Sequence, residues 1–568
     1  MKNTTIIAIA ILHFSFSALA QKSTPITDIS VPTDTTAVQL PIEKPDAKDP
    51  QLQLPDVLIL GKDQYHRNVK NKKELTPESP TLIRRQAPYE SMSTWFKRQD
   101  QKPTFDSDSL SIRQTWIKVK GGSFLTFTGD AGYWQRFRGG DAAAYAWFDR
   151  SEGQFHNSKY GEGGGVGKFN YTAAPGVTAL FRGEYSRFGR GLHSTGFQLN
   201  DATRGGGAGL FAADLQYDVK ELSHGTIGVK FGGMAMTSTG QVQLDRSSDF
   251  FYDLHLDYAT QYRKTVLKGK GQYARETLET SADSARIQSG FGAIGFEILQ
   301  PLSNYFSFVM GADLQFFTHD TLSNKTRFSP FARLNFIPSD KVGLSLHLTT
   351  GLKNSTFLQH WEDNPYLAHR LPQQPSDENF GFKLKGDIEI SQYMKFKASF
   401  VRQWMKEVFY WQPDQTGLFH LEPIADAKLS EIELGVVAEI SPKTHLQASF
   451  IDLSDKIAGI ADSLNLDADL NRLPYRPDFR IPVRASIQLL PKMNLTLTAE
   501  IVGERKKDIT TFATLPTYSL FHIDLNYEVY ENVSALLSVR NLLNAKYAVW
   551  DGYPEMGFVL LAGIRARF

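Results

Sequence analysis

From about Thr115 to the last residue, Phe568, apolar side chains recur at every second position. Period-two alternation marks a strand with one apolar and one polar face. Phe521, Ile523, Leu525, Tyr527 and Val529 share one face, opposite His522, Asp524, Asn526 and Glu528. Glu531-Asn532 makes a short turn, after which Val533, Ala535, Leu537 and Val539 oppose Ser534, Ser538 and Arg540. Met394, Phe396, Ala398 and Phe400 alternate in the same way with Lys395, Lys397 and Ser399. A soluble sandwich alternates too, so length and repetition decide. About 22 such segments fit this span, at roughly 20 residues per strand plus connection. The alternation of tight and long connections predicts an all-β fold: a transmembrane antiparallel barrel of about 22 strands. Closure pairs every backbone group in lipid and removes sheet edges. The apolar face then meets lipid and the polar face lines the lumen. The Gly163–Gly165 and Gly205–Gly207 clusters suit bends or close approach within strands.

Composition excludes several alternatives. The 568 residues allow three or four ordinary domains or one large barrel. A net charge of +1 argues against a nucleic-acid partner, which calls for a basic excess. The absence of cysteine excludes disulfide scaffolds, thiolate metal sites, cysteine nucleophiles and a lipidated cysteine. A mean hydropathy of −0.31 argues against a helical membrane protein.

The amino-terminal residues differ in texture. Lys2, the apolar stretch from Thr5 to Phe14, and Ala18-Leu19-Ala20 before Gln21 predict a secretory signal over residues 1–20. Residues 21–112 carry frequent proline among Thr, Asp, Lys and Gln, a composition that predicts an extended, disordered arm. Within it, residues 54–62 form an apolar island. Asp56, Val57, Leu58, Ile59 and Leu60 make a candidate partner-binding strand that adds to another sheet's edge. A strand docking on its own domain remains the alternative. The barrel is expected over residues 113–568.

The last strand places Phe558, Leu560, Ala562, Ile564, Ala566 and Phe568 on one face, with Gly563, Arg565 and Arg567 opposite. An amphipathic strand ending in phenylalanine resembles the signal read by the outer-membrane barrel assembly machinery. With an export signal at the other end, the expected location is the outer membrane of a Gram-negative bacterium, with its lipid as a partner.

Catalytic chemistry is not legible. The 13 histidines form no His-Glu-x-x-His zinc motif, and no Gly-x-Ser-x-Gly elbow occurs. The run from Gly163 to Lys168 fails as a phosphate loop, because Glu162 and Phe169 stand where Gly and Ser/Thr are needed. No catalytic residue, metal site or cofactor is assigned. The strongest ligand candidates sit between Phe357 and Phe380: His360, Trp361, Glu362, Asp363, Tyr366, His369 and Arg370. Trp and Tyr stack on ligands, and His and carboxylates ligate them. A solvated loop packed on its neighbours has the same composition. Lumen-facing charges such as Lys395, Lys397, Asp524, Glu528, Arg540, Arg565 and Arg567 tune selectivity or stiffen the wall as salt bridges; both readings stay open.

Two stretches resemble TonB-dependent receptors, the 22-stranded outer-membrane transporters. The first comprises Gly503-Glu504-Arg505, Leu515-Pro516-Thr517-Tyr518, the run from Val539 to Tyr547, Gly552-Tyr553-Pro554, Gly557 and Phe568. The second is Asn364-Pro365-Tyr366-Leu367 followed by Glu378 to Trp411. The resemblance implies uptake of a large scarce ligand, such as a metal chelate, vitamin or glycan, and a TonB-type periplasmic energiser. The chain departs from the family at its amino terminus. About 90 mature residues precede the first strand, fewer than a plug domain of roughly 100–150 residues. No Val-Arg-Gly, Asp-Gly-Val-Pro or Gly-Gly-Val-Ile-Asn segment occurs. The expectation is therefore a receptor-like barrel lacking a standard plug. A scaffold in an outer-membrane complex and a diffusion pore are the alternatives.

Overall fold

The computed structural model describes residues 113–194, 202–220, 223–240, 245–281, 285–369, 371, 374–457, 472–509 and 513–568. The arm, with the candidate strand Asp56–Leu60, lies outside the described residues. A 22-stranded antiparallel sheet closes on itself, because the first strand, Arg113–Gly122, pairs with both Thr126–Phe137 and the last strand, Val559–Arg567. Closure is sealed at the chain's end, where Thr115 and Phe568 exchange backbone hydrogen bonds of 3.3 and 2.8 Å. The all-β barrel expected from the alternation is the fold observed.

The barrel strands run from 8 residues, Val533–Arg540, to 23, Phe419–Ser441. Two-residue turns such as Arg138-Gly139, Asp340-Lys341 and Glu531-Asn532 join strands at the end that holds Phe568. The longer connections, including residues 354–375, 503–517 and 541–558, cluster at the opposite end. Two short pairings decorate them, Arg505–Lys506 with Thr514–Leu515 and Ala548–Trp550 with Tyr553–Pro554.

The outside of the barrel inverts the usual burial rule. Ile117, Phe148, Ile294, Phe296, Leu434 and Leu537 are exposed, while Asp149, Glu297 and Asp313 are buried. An apolar exterior is stable where lipid replaces water as the surrounding solvent. Tyr262, Tyr305, Tyr393 and Tyr530 stand exposed beside the short turns, the position an aromatic girdle takes in a membrane barrel. In the last strand, Phe558, Leu560, Ala562, Ile564 and Phe568 lie on the exposed side.

Both glycine clusters pair in continuous register with their neighbours, with no bulge at the glycines. Their use is close approach. A Cβ on Gly164 would stand 2.3 Å from the Tyr185 carbonyl oxygen and 2.7 Å from the Trp147 ring. One on Gly206 would meet the Ala235 carbonyl oxygen at 2.3 Å and the Phe188 ring at 2.7 Å. Large inward rings thus lie across positions that have no side chain.

Candidate functional site

The loop end of the barrel is covered from within. A single short α-helix among the described residues, Phe357–Asp363, starts the cover. Thr356 and Gln359 form its capping box: the Gln359 amide donates to Thr356 Oγ1 at 3.3 Å, and the Thr356 amide to Gln359 Oε1 at 2.9 Å. Asn364 then leaves helical geometry and accepts the Tyr366 amide at 2.9 Å. Leu367 bridges to Phe419 in parallel, with the Phe419 amide donating to the Tyr366 carbonyl at 2.9 Å. Two connections distant in sequence are thereby stitched together across the mouth.

The stitched loops share an apolar core. Tyr366, Trp411, Phe419, Tyr475, Trp550 and Tyr553 are buried together with wall residues that include Met236 and Leu278. The Tyr366 and Tyr553 rings stack at 3.6 Å, and Phe419 meets Trp550 edge-on at 5.0 Å. Aromatic pairs of this kind add about 0.5–1.5 kcal/mol beyond the area they bury. Tyr553 also donates its hydroxyl to the Gly417 carbonyl at 3.0 Å.

A polar clamp holds the cap to the wall. Arg204, only 2% exposed, donates from Nη1 to the carbonyls of Pro365 at 3.1 Å and Leu367 at 2.7 Å, and from Nε to Ser238 at 2.9 Å. His369 sits between Ser238, at 2.7 Å from Nε2, and Ser247, at 3.2 Å from Nδ1. Burial beside Arg204 pushes His369 down to about 3, so it is neutral at ordinary pH. Burial likewise pushes the Tyr366 phenol up to about 12, against the pull of Arg190, whose guanidinium lies 5.4 Å from the ring centre. Buried Glu276 accepts the Phe357 amide at 2.6 Å.

Beneath the cap lies a cavity of about 260 Å³ inside the barrel. Pro365, Tyr366, Trp550 and Pro554 roof it, and Lys118, Lys120, Asp130, Arg484, His522 and Arg540 stand among its walls. Some charges are spent on each other: Lys118 and Asp130 are 3.4 Å apart, and Lys120 and Asp524 4.0 Å. The Tyr145 and Trp147 rings stack at 5.8 Å on another stretch of wall.

Of the ligand candidates read from the sequence, Tyr366 both roofs the cavity and belongs to the cap core. His369 is buried in the clamp, Trp361 packs 4.2 Å from Phe188, and His360 lies edge-on to Trp411 at 6.0 Å. Glu362 and Asp363 are half-buried in the helix, and Arg370 lies outside the described residues. The set does not converge on one point: among its described members, Tyr366 alone lines the cavity. Arg190, Arg484 and His522 in the cavity wall and Arg204 in the clamp were not singled out, because cross-strand register is what places them. Among the lumen charges, Lys395 pairs with Asp387 at 3.2 Å, whereas Asp524 and Arg540 line the cavity. No cluster of three or more metal-ligating side chains occurs among the described residues.

No family model and no curated protein matches the sequence. Solved structures do match in shape. The siderophore receptor PiuA from Acinetobacter baumannii superposes with a TM-score of 0.63 at 12% identity, over 80% of this chain and 82% of that one. The copper transporter OprC gives 0.62 at 11% identity over 80% of each chain. The FrpB iron transporter from Neisseria meningitidis, in its F5-1 apoprotein form, gives 0.65 at 10% identity, over 83% and 82%. The chain thus has the fold of the outer-membrane receptors and transporters, the TonB-dependent-receptor-like barrel that its final hairpins resemble.

Proposed function

We propose that this protein takes up a large, scarce ligand across the outer membrane by a gated route. The observation that carries the reading is a closed barrel whose loop-end connections pack on one another in an aromatic core over a lumenal cavity. A diffusion pore needs a continuous aqueous path, and the aromatic cap stands across it. The proteins that share the fold are named for siderophores, copper and iron, which makes metal chelates the first ligands to test. The apolar exterior supports residence in outer-membrane lipid. The outward face of Phe558, Leu560, Ala562, Ile564 and Phe568 is the proposed signal to the barrel assembly machinery. A TonB-type energiser is the proposed periplasmic partner, with Asp56, Val57, Leu58, Ile59 and Leu60 as its contact. No catalytic role is proposed.

Single-channel conductance in planar bilayers tests the reading, comparing the mature chain with a variant lacking residues 21–112. Silence in the mature chain, with conductance after deletion, supports a gated route that the arm helps to close. A large, steady conductance in both identifies an open pore and sinks gated uptake. Silence in both, with no chelate uptake by cells, points to a scaffold.

A further inference from the structure

One row of the inner wall under the cap offers only hydrogen-bond donors or hydroxyls. Arg484 pairs with Thr498 across one strand boundary, and Thr498 pairs with His522 across the next. Ile523 pairs with Val539, which sets His522 beside Arg540 in the fourth strand. All four residues alternate to the lumen side, and Arg484, Thr498, His522 and Arg540 all line the cavity. With strands about 4.8 Å apart, the two arginine Cα atoms stand roughly 14 Å from each other. Their long side chains leave a space between them floored by a hydroxyl and an imidazole.

The tautomer of that imidazole is set by the backbone. The Asn541 amide donates to His522 Nδ1 at 3.2 Å, so neutral His522 carries its hydrogen on Nε2 and is a donor there. Neither Arg484 nor Arg540 has a hydrogen-bonding or ion-pair partner among the described residues, whereas the cavity's other charges are engaged. Asp130 meets Lys118 at 3.4 Å, Asp524 meets Lys120 at 4.0 Å, Asp149 accepts the Tyr160 hydroxyl at 3.0 Å, and Arg190 lies over Tyr366. Glu555, the remaining acid of the lining, sits on the cap side with Pro554 and Met556. Guanidinium groups present planar forks that match carboxylate and phosphate oxygens two at a time. Two unengaged forks around an imidazole donor and a hydroxyl make an incomplete set, and an oxyanion completes it.

We propose that Arg484, Thr498, His522 and Arg540 form a lumenal binding site for a solute bearing at least two oxyanion groups, carboxylate or phosphate. This inference rests on the uptake reading only for its purpose: the site is then where cargo pauses after passing the cap. Its existence is a question of binding alone.

The test is calorimetric titration of the full mature chain in detergent with citrate and with inorganic pyrophosphate, using raffinose as an uncharged control. Saturable binding of one or both anions, none of raffinose, and weakening at high salt are expected. Citrate alone binding assigns a polycarboxylate, and pyrophosphate alone a phosphate-bearing solute. Arg484→Gln and Arg540→Gln should each weaken binding at least tenfold, and the double variant should abolish it. Heat-modifiable migration confirms that each variant is folded. If a glutamine variant fails that check, the Arg484→Lys, Arg540→Lys double variant decides, with a loss of several-fold expected because an ammonium cannot grip two oxygens at once. No binding of either anion by the wild type, or unchanged affinity in the folded double variant, overturns the proposal. Anion binding by a barrel that conducts steadily leaves this site standing and removes gated uptake. Gated conductance without anion binding does the reverse.

Discussion

Ile564 stands on the exposed face of the last strand, paired with Val119 on one side and Ala535 on the other. Ile564→Asp places a charge where lipid is expected, at a cost of up to about 2 kcal/mol depending on depth. It also interrupts the apolar row that ends in Phe568. Reduced outer-membrane levels and loss of heat-modifiable migration are the expected outcome, with normal assembly counting against the facing. Inside the cap, Trp550 is 2% exposed and touches Trp411, Phe419 and Tyr475. Trp550→Ala should cost the cap about 3–5 kcal/mol, the range for emptying a buried aromatic site. Faster hydrogen exchange over residues 365–371 should report it, while the barrel ladder stays protected. Trp550 falls between the run ending at Tyr547 and Gly552-Tyr553-Pro554, and nothing in the sequence set it apart. Sequence alternation separates the two faces of a strand and says nothing about which loops fold inward.

At the scale of elements, the helix and the segment after it form a latch held by two kinds of group. Arg204→Met removes the donors to the Pro365 and Leu367 carbonyls and should loosen the segment by about 1–3 kcal/mol, the usual cost of stranding buried acceptors. His369 makes the latch sensitive to acid. Its folded value of about 3 lies below the unfolded value of about 6.5. Between these limits the loosened state binds the extra proton, so stability rises with pH across the window. The latch is fully held above about pH 6.5 and weakens progressively as pH falls toward 3. Hydrogen exchange over residues 365–371 between pH 7 and 4 should accelerate beyond its intrinsic pH trend in the wild type, and His369→Gln should remove that excess. The long connection was legible as a candidate site from its Trp, Tyr, His and acidic residues. Its role as a clamp was not, because Arg204 and Ser238 lie on strands more than a hundred residues earlier.

For the whole molecule, the closed ladder and the cap are separable layers. The ladder joins neighbouring strands all around and has no edge, so local damage in the cap leaves it intact. A double Trp550→Ala, Tyr553→Ala variant should therefore assemble normally yet show brief conductance steps that the wild type lacks. Unchanged silence would assign closure to something other than the aromatic cap. The outside is exposed and apolar, and the inside carries charges that are only partly paired.

Alternation and length alone determined the all-β barrel, its strand number and the facing of strands such as Phe521–Val529, because period two is a local property of each strand. The terminal phenylalanine and the final hairpins likewise stood in the sequence, since turns and strand ends are short-range chemistry. The glycine clusters were only half legible: as strand glycines they allowed bends or close approach, and the rings of Trp147 and Phe188 selected the second. Only the tertiary structure decided that the loops turn inward, that Tyr366 stacks on Tyr553, and that Arg484 and Arg540 share a cavity. Those contacts arise from register between strands and from closure of the sheet, which join residues that no sequence interval connects.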